Sequence, residues 1–342
     1  MAIPGFAVDS YLPRLWRIVQ AETRRLRATR YVSPEWLAAH PVSTEDPIII
    51  GGCGRSGTTM MSVMLNSHSQ VYCGAEDALL LDEEFSLPQV AKQYRYDLAA
   101  LVDEARGFDN RGEFTEFVMR DQKQRRNVSR FATKQPRYAL CLPTLLQRFP
   151  CARFIYLCRD GRDVAVSFRK NERRLVGLWP LAAEDRDVAH LSPKKDRLAR
   201  QRYDRTHDAA GMLSMTHCAD VWRLYVNAFY PFERDPRCRY VRYEDLVTRP
   251  RETLTDLCAF LDLPFEESML TFHSGKGVEG RDELSDPHHA KVKSQLDPTR
   301  LGVWRQELTR GQVREFETRA GRELLHGRYE LSEGFAEQCV AC

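Results

Sequence analysis

The sequence predicts an α/β protein in which a parallel β-sheet is flanked by helices and a P-loop-like segment follows the first strand. Short apolar runs alternate with stretches of helical period along residues 48–265. The runs are continuously apolar rather than alternating, which is typical of strands buried on both faces of a parallel sheet. A glycine-rich stretch, residues 51–59, stands between the first run and a helix. Together these features indicate helix-covered parallel strands with functional loops at their ends.

The predicted strands follow one another at helix-length intervals. They cover residues 48–50, 131–133, 153–157 and 239–243, and each is followed by apolar positions three or four residues apart. The run at 48–50 is three isoleucines, whose branched side chains favour strands. The sequence therefore predicts repeated strand–helix units in the order expected of a parallel sheet.

Length and composition limit the class of protein. A chain of 342 residues with 43% hydrophobic residues can bury a sizeable core. Its formal net charge of +3 is close to balanced, so we do not expect a nucleic-acid partner. No apolar stretch approaches the roughly 18 residues that cross a bilayer.

The glycine-rich stretch has the character of a phosphate-binding loop. Glycines let successive backbone N–H groups point at an anion, and the helix N-terminus adds further donors. The spacing from Gly52 to Thr59 matches the Walker A motif except that Thr58 replaces the lysine that reaches the outer phosphates of a triphosphate. Such a loop suits a single 5′-phosphate. The predicted anion ligands are Arg55, Ser56, Gly57, Thr58 and Thr59.

A second anion site is predicted after the strand at 153–157. Arg159 lies at the carboxyl end of that strand, where open α/β sheets bind ligands. Ser167 follows eight residues later, about two helical turns, so the two side chains can face one phosphate monoester. For Arg162 and Asp163 we favour structural roles.

These segments together resemble the PAPS-dependent sulfotransferases, enzymes that use 3′-phosphoadenosine 5′-phosphosulfate (PAPS). The resemblance is closest to the tyrosylprotein sulfotransferase branch and its bacterial relatives. Besides the loop and the Arg–Ser pair, it rests on Cys73-Gly74-Ala75-Glu76, on Lys134-Gln135-Pro136 and on a strand end at residues 242–246. It covers about residues 47–265, and residues 302–304 are its last recognisable part. It implies the sulfotransferase fold and transfer of a sulfuryl group from PAPS to a hydroxyl acceptor, with no metal.

The resemblance also implies roles for individual residues. Glu76 takes the position of the general base, while Asp77 and His68 stay open as alternatives. Lys134 would stabilise charge on the leaving group, with Arg55 sharing this role, although a solvated strand-end lysine is the alternative.

Two further cofactor contacts are predicted toward the C-terminal side. Tyr243 lies near the adenine or the 3′-phosphate, or is an ordinary core tyrosine. Lys293, in preference to Lys291, closes over the cofactor from a later loop.

The predicted domains are a helical extension over residues 1–44, a catalytic domain over 45–330 and a mobile tail over 331–342. Residues 11–30 form a basic amphipathic helix that packs on the domain or, alternatively, contacts a membrane surface. Ten dispersed cysteines without a disulfide spacing indicate a reducing compartment, so we expect a cytoplasmic protein without a transmembrane segment.

The acceptor is left open by the sequence. Basic stretches at 120–130 and 194–205 form solvated helical faces or an electropositive approach for an acidic or anionic acceptor. A protein tyrosine, a carbohydrate, a lipid and a small molecule all fit. The rival functions are an ATP-dependent P-loop kinase, which lacks its loop lysine here, and a nucleotide-binding protein without catalysis.

Overall fold

A computed structural model describes residues 31–81, 85–170, 213–274, 292 and 294–332. The predicted helix at 11–30, the basic stretch at 194–205, Lys291 and Lys293 lie outside the described residues.

Five strands and twelve α-helices are formed by the described residues. The strands are β1 Ile48–Gly52, β2 Val71–Glu76, β3 Arg130–Lys134, β4 Arg153–Cys158 and β5 Cys238–Arg242. The helices are α1 Pro34–Ala38, α2 Thr58–Ser67, α3 Leu87–Tyr94, α4 Leu98–Ala105, α5 Arg111–Arg125, α6 Leu142–Arg148, α7 Gly161–Lys170, α8 Met215–Phe229, α9 Tyr243–Thr248, α10 Pro250–Phe260, α11 Trp304–Glu307 and α12 Arg310–His326. Short 3₁₀ segments cover Pro136–Cys141, Tyr230–Phe232, Glu267–Met269 and Pro298–Arg300.

The sheet is fully parallel and has the strand order β2-β3-β1-β4-β5. The central strand β1 pairs with β3 and β4, so that Ile48 lies opposite both Ala132 and Arg153. This confirms the predicted fold class. β2 was not among the predicted strands, because Gly74 and Ala75 dilute its β-propensity.

Two hydrophobic clusters cover the two faces of the sheet. Ile49, Phe154 and Tyr156 belong to one cluster, whereas Ile48 and Ile155 belong to the other. This division follows the two-residue period of a strand, which sends successive side chains to opposite faces. The helices α5, α8 and α12 contribute to the first cluster, and α2 and α10 contribute to the second. Each fully buried isoleucine contributes about 1.5–3 kcal/mol to stability.

A register shift interrupts the pairing of β2 with β3. Cys73 lies opposite Ala132, but the next paired residue, Glu76, lies opposite Lys134. Three residues of β2 therefore span the distance of two residues of β3, which is a β-bulge.

Parallel strands end at a common edge, so all five strands present their carboxyl ends on one side of the molecule. Among the described residues, no helix is both long enough and apolar enough to cross a bilayer.

Candidate active site

The carboxyl edge of the sheet gathers most of the predicted site residues. β2 ends at Glu76 and β3 ends at Lys134. The glycine-rich loop follows β1, Arg159 follows β4, and Tyr243 follows β5. The parallel topology therefore brings together residues that are far apart in the sequence, such as Arg55 and Tyr243, which are 188 positions apart.

The loop between β1 and α2 has the backbone of an anion-binding loop. Arg55 and Gly57 both adopt left-handed conformations, with φ values of 71° and 95°. Gly57 stands at the N-cap of α2 and has no side chain to cap it. The amide groups of the first turn, which starts at Thr58, are consequently oriented toward an incoming anion.

Two buried polar atoms support phosphate binding at this edge. Ser56 is fully buried, and its hydroxyl has no hydrogen-bond partner among the described residues. The Nε atom of Arg159 is likewise buried without a partner in that part of the chain. Because an unsatisfied buried donor is costly, both atoms fit a site that is completed by the phosphates of a bound nucleotide.

Arg159 is held at the strand end by three contacts. Its Nη2 atom donates to the carbonyl of Arg300 at 2.7 Å and to Asp163 Oδ2 at 3.3 Å. Its guanidinium lies 4.6 Å from the ring centroid of Tyr243. Since the contacts fix the orientation of the guanidinium, Arg159 is preorganised for an anion.

Tyr243 connects the two predicted phosphate sites. Its half-buried ring stacks beneath Arg159 and also packs against the phosphate loop. A Cβ atom placed on Gly57 would lie only 2.6 Å from Tyr243 Cδ2. The alternative of an ordinary core tyrosine therefore does not describe its place, which is between the loop and Arg159.

Ser167, which follows Arg159 by eight positions, is also joined to the loop. Arg55 Nε donates to Ser167 Oγ at 3.0 Å, across the gap between the loop and α7. Ser167 thus faces the phosphate loop, and a phosphate shared by Arg159 and Ser167 stays a prediction. The contact joins Arg55 to Ser167, and Tyr243 joins the loop to Arg159. These residues therefore border one region that could bind an anion.

The structural roles expected for Arg162 and Asp163 agree with their contacts. Arg162 is 1% exposed, pairs with Asp160 at 2.7 Å and Glu317 at 2.6 Å, and covers the Trp304 ring at 3.8 Å. Asp163 accepts hydrogen bonds from the backbone amides of Gly302 and Trp304. These two residues fasten the segment 300–304 beside Arg159.

Lys134 and Glu76 form an ion pair at the other side of the loop. Lys134 Nζ lies 2.6 Å from Glu76 Oε2 and 3.4 Å from Thr59 Oγ1. The lysine side chain is 1% exposed, whereas that of Glu76 is 35% exposed. The carboxylate is thus open to an acceptor and the buried ammonium lies between it and α2. The alternative of a solvated strand-end lysine is wrong.

The two alternative bases occupy unsuitable positions. His68 is fully buried, and its Nε2 atom lies 2.7 Å from the carbonyl oxygen of Pro264. Asp77 is buried directly after β2 and accepts hydrogen bonds from two tyrosine hydroxyls and a backbone amide. Of the three candidates, only Glu76 exposes a carboxylate beside Lys134.

Four of the five basic residues at 120–130 are paired with acidic residues. Arg120 and Lys123 both bind Glu45 at 2.7 Å. Arg130 binds Asp46, and Arg125 binds Asp121. This stretch is a salt-bridged helical face, and the alternative of an electropositive approach finds no support here.

Some residues of the site were not predicted from the sequence. Arg300 contributes a backbone carbonyl to Arg159, and the network around Asp77 underlies Glu76. No local pattern marks either feature, because each depends on contacts between distant segments. The one sequence feature that could have indicated the Asp77 network is the position of this second carboxylate directly after Glu76.

A parallel sheet whose strand ends carry a phosphate loop, a second anion site and a Lys–Glu pair defines a nucleotide-dependent group-transfer enzyme. Residues 47–267 match the family model described as Sulfotransferase family. The chain therefore belongs to the sulfotransferase family. The match confirms the predicted enzyme class, with PAPS as sulfuryl donor and a hydroxyl group as acceptor, and it displaces both rival functions.

Curated relatives give the same class. The chain is 26% identical over 245 residues to protein-tyrosine sulfotransferase 1 of Danio rerio, covering 70% of this chain and 59% of the relative. It is 23% identical over 259 residues to the protein-tyrosine sulfotransferase of Drosophila melanogaster, covering 73% and 45%. The match thus spans about half the length of these two relatives.

Solved structures share the fold. The sulfotransferase domain from the curacin biosynthetic pathway has a TM-score of 0.57 and 22% identity, covering 85% of this chain and 100% of that domain. The sulfotransferase domain from the Synechococcus PCC 7002 olefin synthase has a TM-score of 0.56 and 21% identity, covering 86% and 98%. Both comparisons confirm the sulfotransferase fold.

Proposed function

We propose that this chain transfers the sulfuryl group of PAPS to a tyrosine hydroxyl by direct in-line transfer, with Glu76 as general base. The observation that carries this proposal is the 2.6 Å contact between Lys134 and Glu76 beside Thr59 of the phosphate loop. The names of the curated relatives support tyrosine as the acceptor.

The residues at the sheet edge divide the work of binding. Ser56, Thr58 and the amides of the α2 N-terminus would hold the 5′-phosphate, with Thr59 beside the sulfuryl group. Arg159 and Ser167 would hold the 3′-phosphate, and Tyr243 would keep Arg159 in place. We also propose Lys293 as a contact to the bound nucleotide, from outside the described residues.

Three side chains would carry the chemistry. When bound, PAPS supplies the sulfuryl group, and adenosine 3′,5′-bisphosphate leaves with the bonding electron pair. Glu76 takes the acceptor proton as the hydroxyl oxygen bonds to sulfur. Lys134 and Arg55 stabilise the negative charge that grows on the leaving phosphate. Because Lys134 is buried and already placed, it needs little reorganisation.

We further propose that the acceptor tyrosine lies in an acidic segment. Arg137 follows Lys134 on the 3₁₀ segment Pro136–Cys141. Arg137 thus follows the lysine of the ion pair by three residues, and a cation near this edge of the sheet favours acidic neighbours of the acceptor.

The domain boundaries remain proposals of the same kind. We assign residues 45–330 to the catalytic domain, 1–44 to an extension and 331–342 to a tail. The cytoplasmic location and the peripheral membrane contact of residues 11–30 stay predictions.

The first experiment is calorimetric titration with adenosine 3′,5′-bisphosphate, with ATP–magnesium in parallel. We expect the bisphosphate to bind wild type and to bind Arg159→Ala much more weakly. Binding of ATP–magnesium in place of the bisphosphate would overturn the assignment of the donor.

The second experiment uses labelled PAPS with three peptides. One holds a tyrosine among aspartates, one has the aspartates replaced by asparagine, and one has the tyrosine replaced by serine. We expect transfer chiefly to the first peptide and its loss in Glu76→Gln. Equal transfer to the first two peptides would contradict the acidic acceptor, and transfer to the serine peptide would contradict tyrosine.

A further inference from the structure

Asp77 is a buried carboxylate directly beside the exposed Glu76. Its oxygens accept hydrogen bonds from four donors: Thr133 Oγ1 at 2.8 Å, Leu79 N at 2.9 Å, Tyr138 OH at 2.9 Å and Tyr94 OH at 3.0 Å. Its side chain is buried among these donors, whereas the side chain of Glu76 is 35% exposed. Nothing in the chemistry of transfer uses this group directly.

The donors come from separate elements that surround the Lys134–Glu76 pair. Thr133 immediately precedes Lys134 on β3, Tyr138 lies on the 3₁₀ segment after it, and Tyr94 ends α3. The backbone amide of Asp77 also donates to the carbonyl of Lys134 at 3.3 Å. Asp77 thus ties the end of β2 to the same residues that place Lys134.

The bulge in β2 makes this tie important for Glu76. Without the extra residue, the register that pairs Cys73 with Ala132 would set Ala75 opposite Lys134. Glu76 would then face the other side of the sheet, because a shift of one residue reverses the face of every side chain. The bulge is what turns the glutamate toward the lysine, and Asp77 is the first residue after it.

The hydrogen bonds to Asp77 offset part of the cost of burying its carboxylate. Burial raises the pKa of the Asp77 carboxyl, and the hydrogen bonds from Leu79, Thr133, Tyr138 and Tyr94 oppose this rise. A buried carboxylate is tolerated only when its oxygens are satisfied in this way.

We propose that Asp77 is a positioning residue that locks the β2 bulge and so holds Glu76 in register with Lys134. The inference rests on the proposed function in assigning Glu76 as the base. Its geometric part, that the ion pair depends on Asp77, stands independently of any activity.

The test compares Asp77→Ala and Asp77→Asn with a distant control. Asparagine keeps the shape and one acceptor oxygen, and its amide can donate to a rotated hydroxyl. Glu323→Ala is the control, because Glu323 is a buried carboxylate bound by Arg223 and Asn227 between α8 and α12. Measured quantities are kcat and KM for PAPS, bisphosphate affinity and melting temperature.

For Asp77→Ala we expect a fall in kcat of about 100-fold, as for a catalytic group displaced by about 1 Å. Its bisphosphate affinity should be that of wild type, because the phosphate loop is untouched. Asp77→Asn should keep most of the wild-type kcat, and Glu323→Ala should lose thermal stability alone. Wild-type kcat in Asp77→Ala would overturn the proposal, and so would a kcat in Asp77→Asn as low as that of alanine.

If Asp77→Ala does not fold, a variant that disturbs the packing less tests the same role. The double substitution Thr133→Val with Tyr94→Phe removes both hydroxyl donors from Asp77 Oδ2 and leaves the carboxylate in place. We expect kcat to fall while bisphosphate affinity is kept. An unchanged kcat in this variant would overturn the proposal.

A crystal structure of Asp77→Ala or of the double variant tests the positioning role of Asp77 separately from the proposed function. We expect the Lys134–Glu76 distance to exceed about 4 Å, the limit of an ion pair. An intact pair would overturn the role of Asp77. If wild type binds the bisphosphate but transfers no sulfuryl group, the proposed function fails, and this distance still decides the role of Asp77.

Discussion

The ring of Tyr243 occupies the space that a side chain on Gly57 would need. This contact joins the end of β5 to the phosphate loop across the width of two strands, and the same ring supports Arg159 from below. The loop and the second anion site therefore pack on the same ring, and we expect a change at Tyr243 or Gly57 to affect both sites.

Gly57→Ala tests this contact. The new Cβ would lie 2.6 Å from the tyrosine ring, and the backbone φ of 95° is unfavourable for alanine by about 1–3 kcal/mol. We expect weaker bisphosphate binding, measured by calorimetry. Adding Tyr243→Ala should relieve only the steric part, because the backbone strain remains. Gly311→Ala is the control, since a Cβ there would meet its nearest neighbour only at 3.9 Å.

Lys134→Ala should lower kcat for sulfuryl transfer by about 10²–10³-fold, the usual cost of removing one stabilising donor at a developing charge. The KM for the acceptor should change less. Lys123→Ala is the matched control, because that lysine lies on α5, away from the site, and pairs with Glu45. The double variant with Glu76→Gln should be little worse than either single change, since the two act as a unit. Full additivity of the two losses would contradict a shared site.

Arg159→Ala and Arg162→Met should separate binding from stability. A hydrogen bond to a charged group contributes about 1.5–3 kcal/mol, so Arg159→Ala should weaken bisphosphate binding by roughly 10- to 100-fold. Arg162 instead holds a buried ion network with Asp160 and Glu317, and breaking such a pair costs about 3–5 kcal/mol of folding stability. Calorimetric titration and thermal unfolding of both variants check this. Equal loss of ligand affinity in the two variants would contradict the distinction.

The turn before β5 gives a prediction about pH. Hydrogen bonds from Arg237 hold the pKa of Asp235 below its ordinary value, although burial opposes them. The lowered pKa stabilises the folded protein above the ordinary pKa of aspartate, and this stabilisation is lost as the pH falls through the lowered value. Asp235→Asn should therefore reduce the free energy of unfolding near neutral pH by at most about 1 kcal/mol, because solvent screens the pair.

The difference between Asp235→Asn and wild type should shrink toward zero in acid. Chemical denaturation at several pH values measures it, with Asp256→Asn on α10 as a control at an exposed position. A difference that stays constant at all pH values would show that charge is not its cause.

Much of the fold and site could be predicted from local sequence. The isoleucines at 48–50 and the apolar run at 153–157 mark buried strands, and the glycines after Ile50 mark the loop. The spacing of Arg159 and Ser167 predicts that both face one phosphate, and Ser167 lies against Arg55 of the loop. Strands and helical faces have a fixed residue period, and loops are marked by their glycines. These features are local, so a sequence specifies them directly.

Only the tertiary structure shows which of the candidate bases is accessible beside Lys134. Glu76, Asp77 and His68 could not be separated from residue type and position, whereas the β2 bulge aims Glu76 at Lys134 and buries Asp77. The place of Tyr243, and the closure of segment 300–304 over Arg159, also depend on contacts between distant segments. Strand register and side-chain contacts of this kind are fixed only when remote parts of the chain pack together, because no periodicity within one segment encodes its partner.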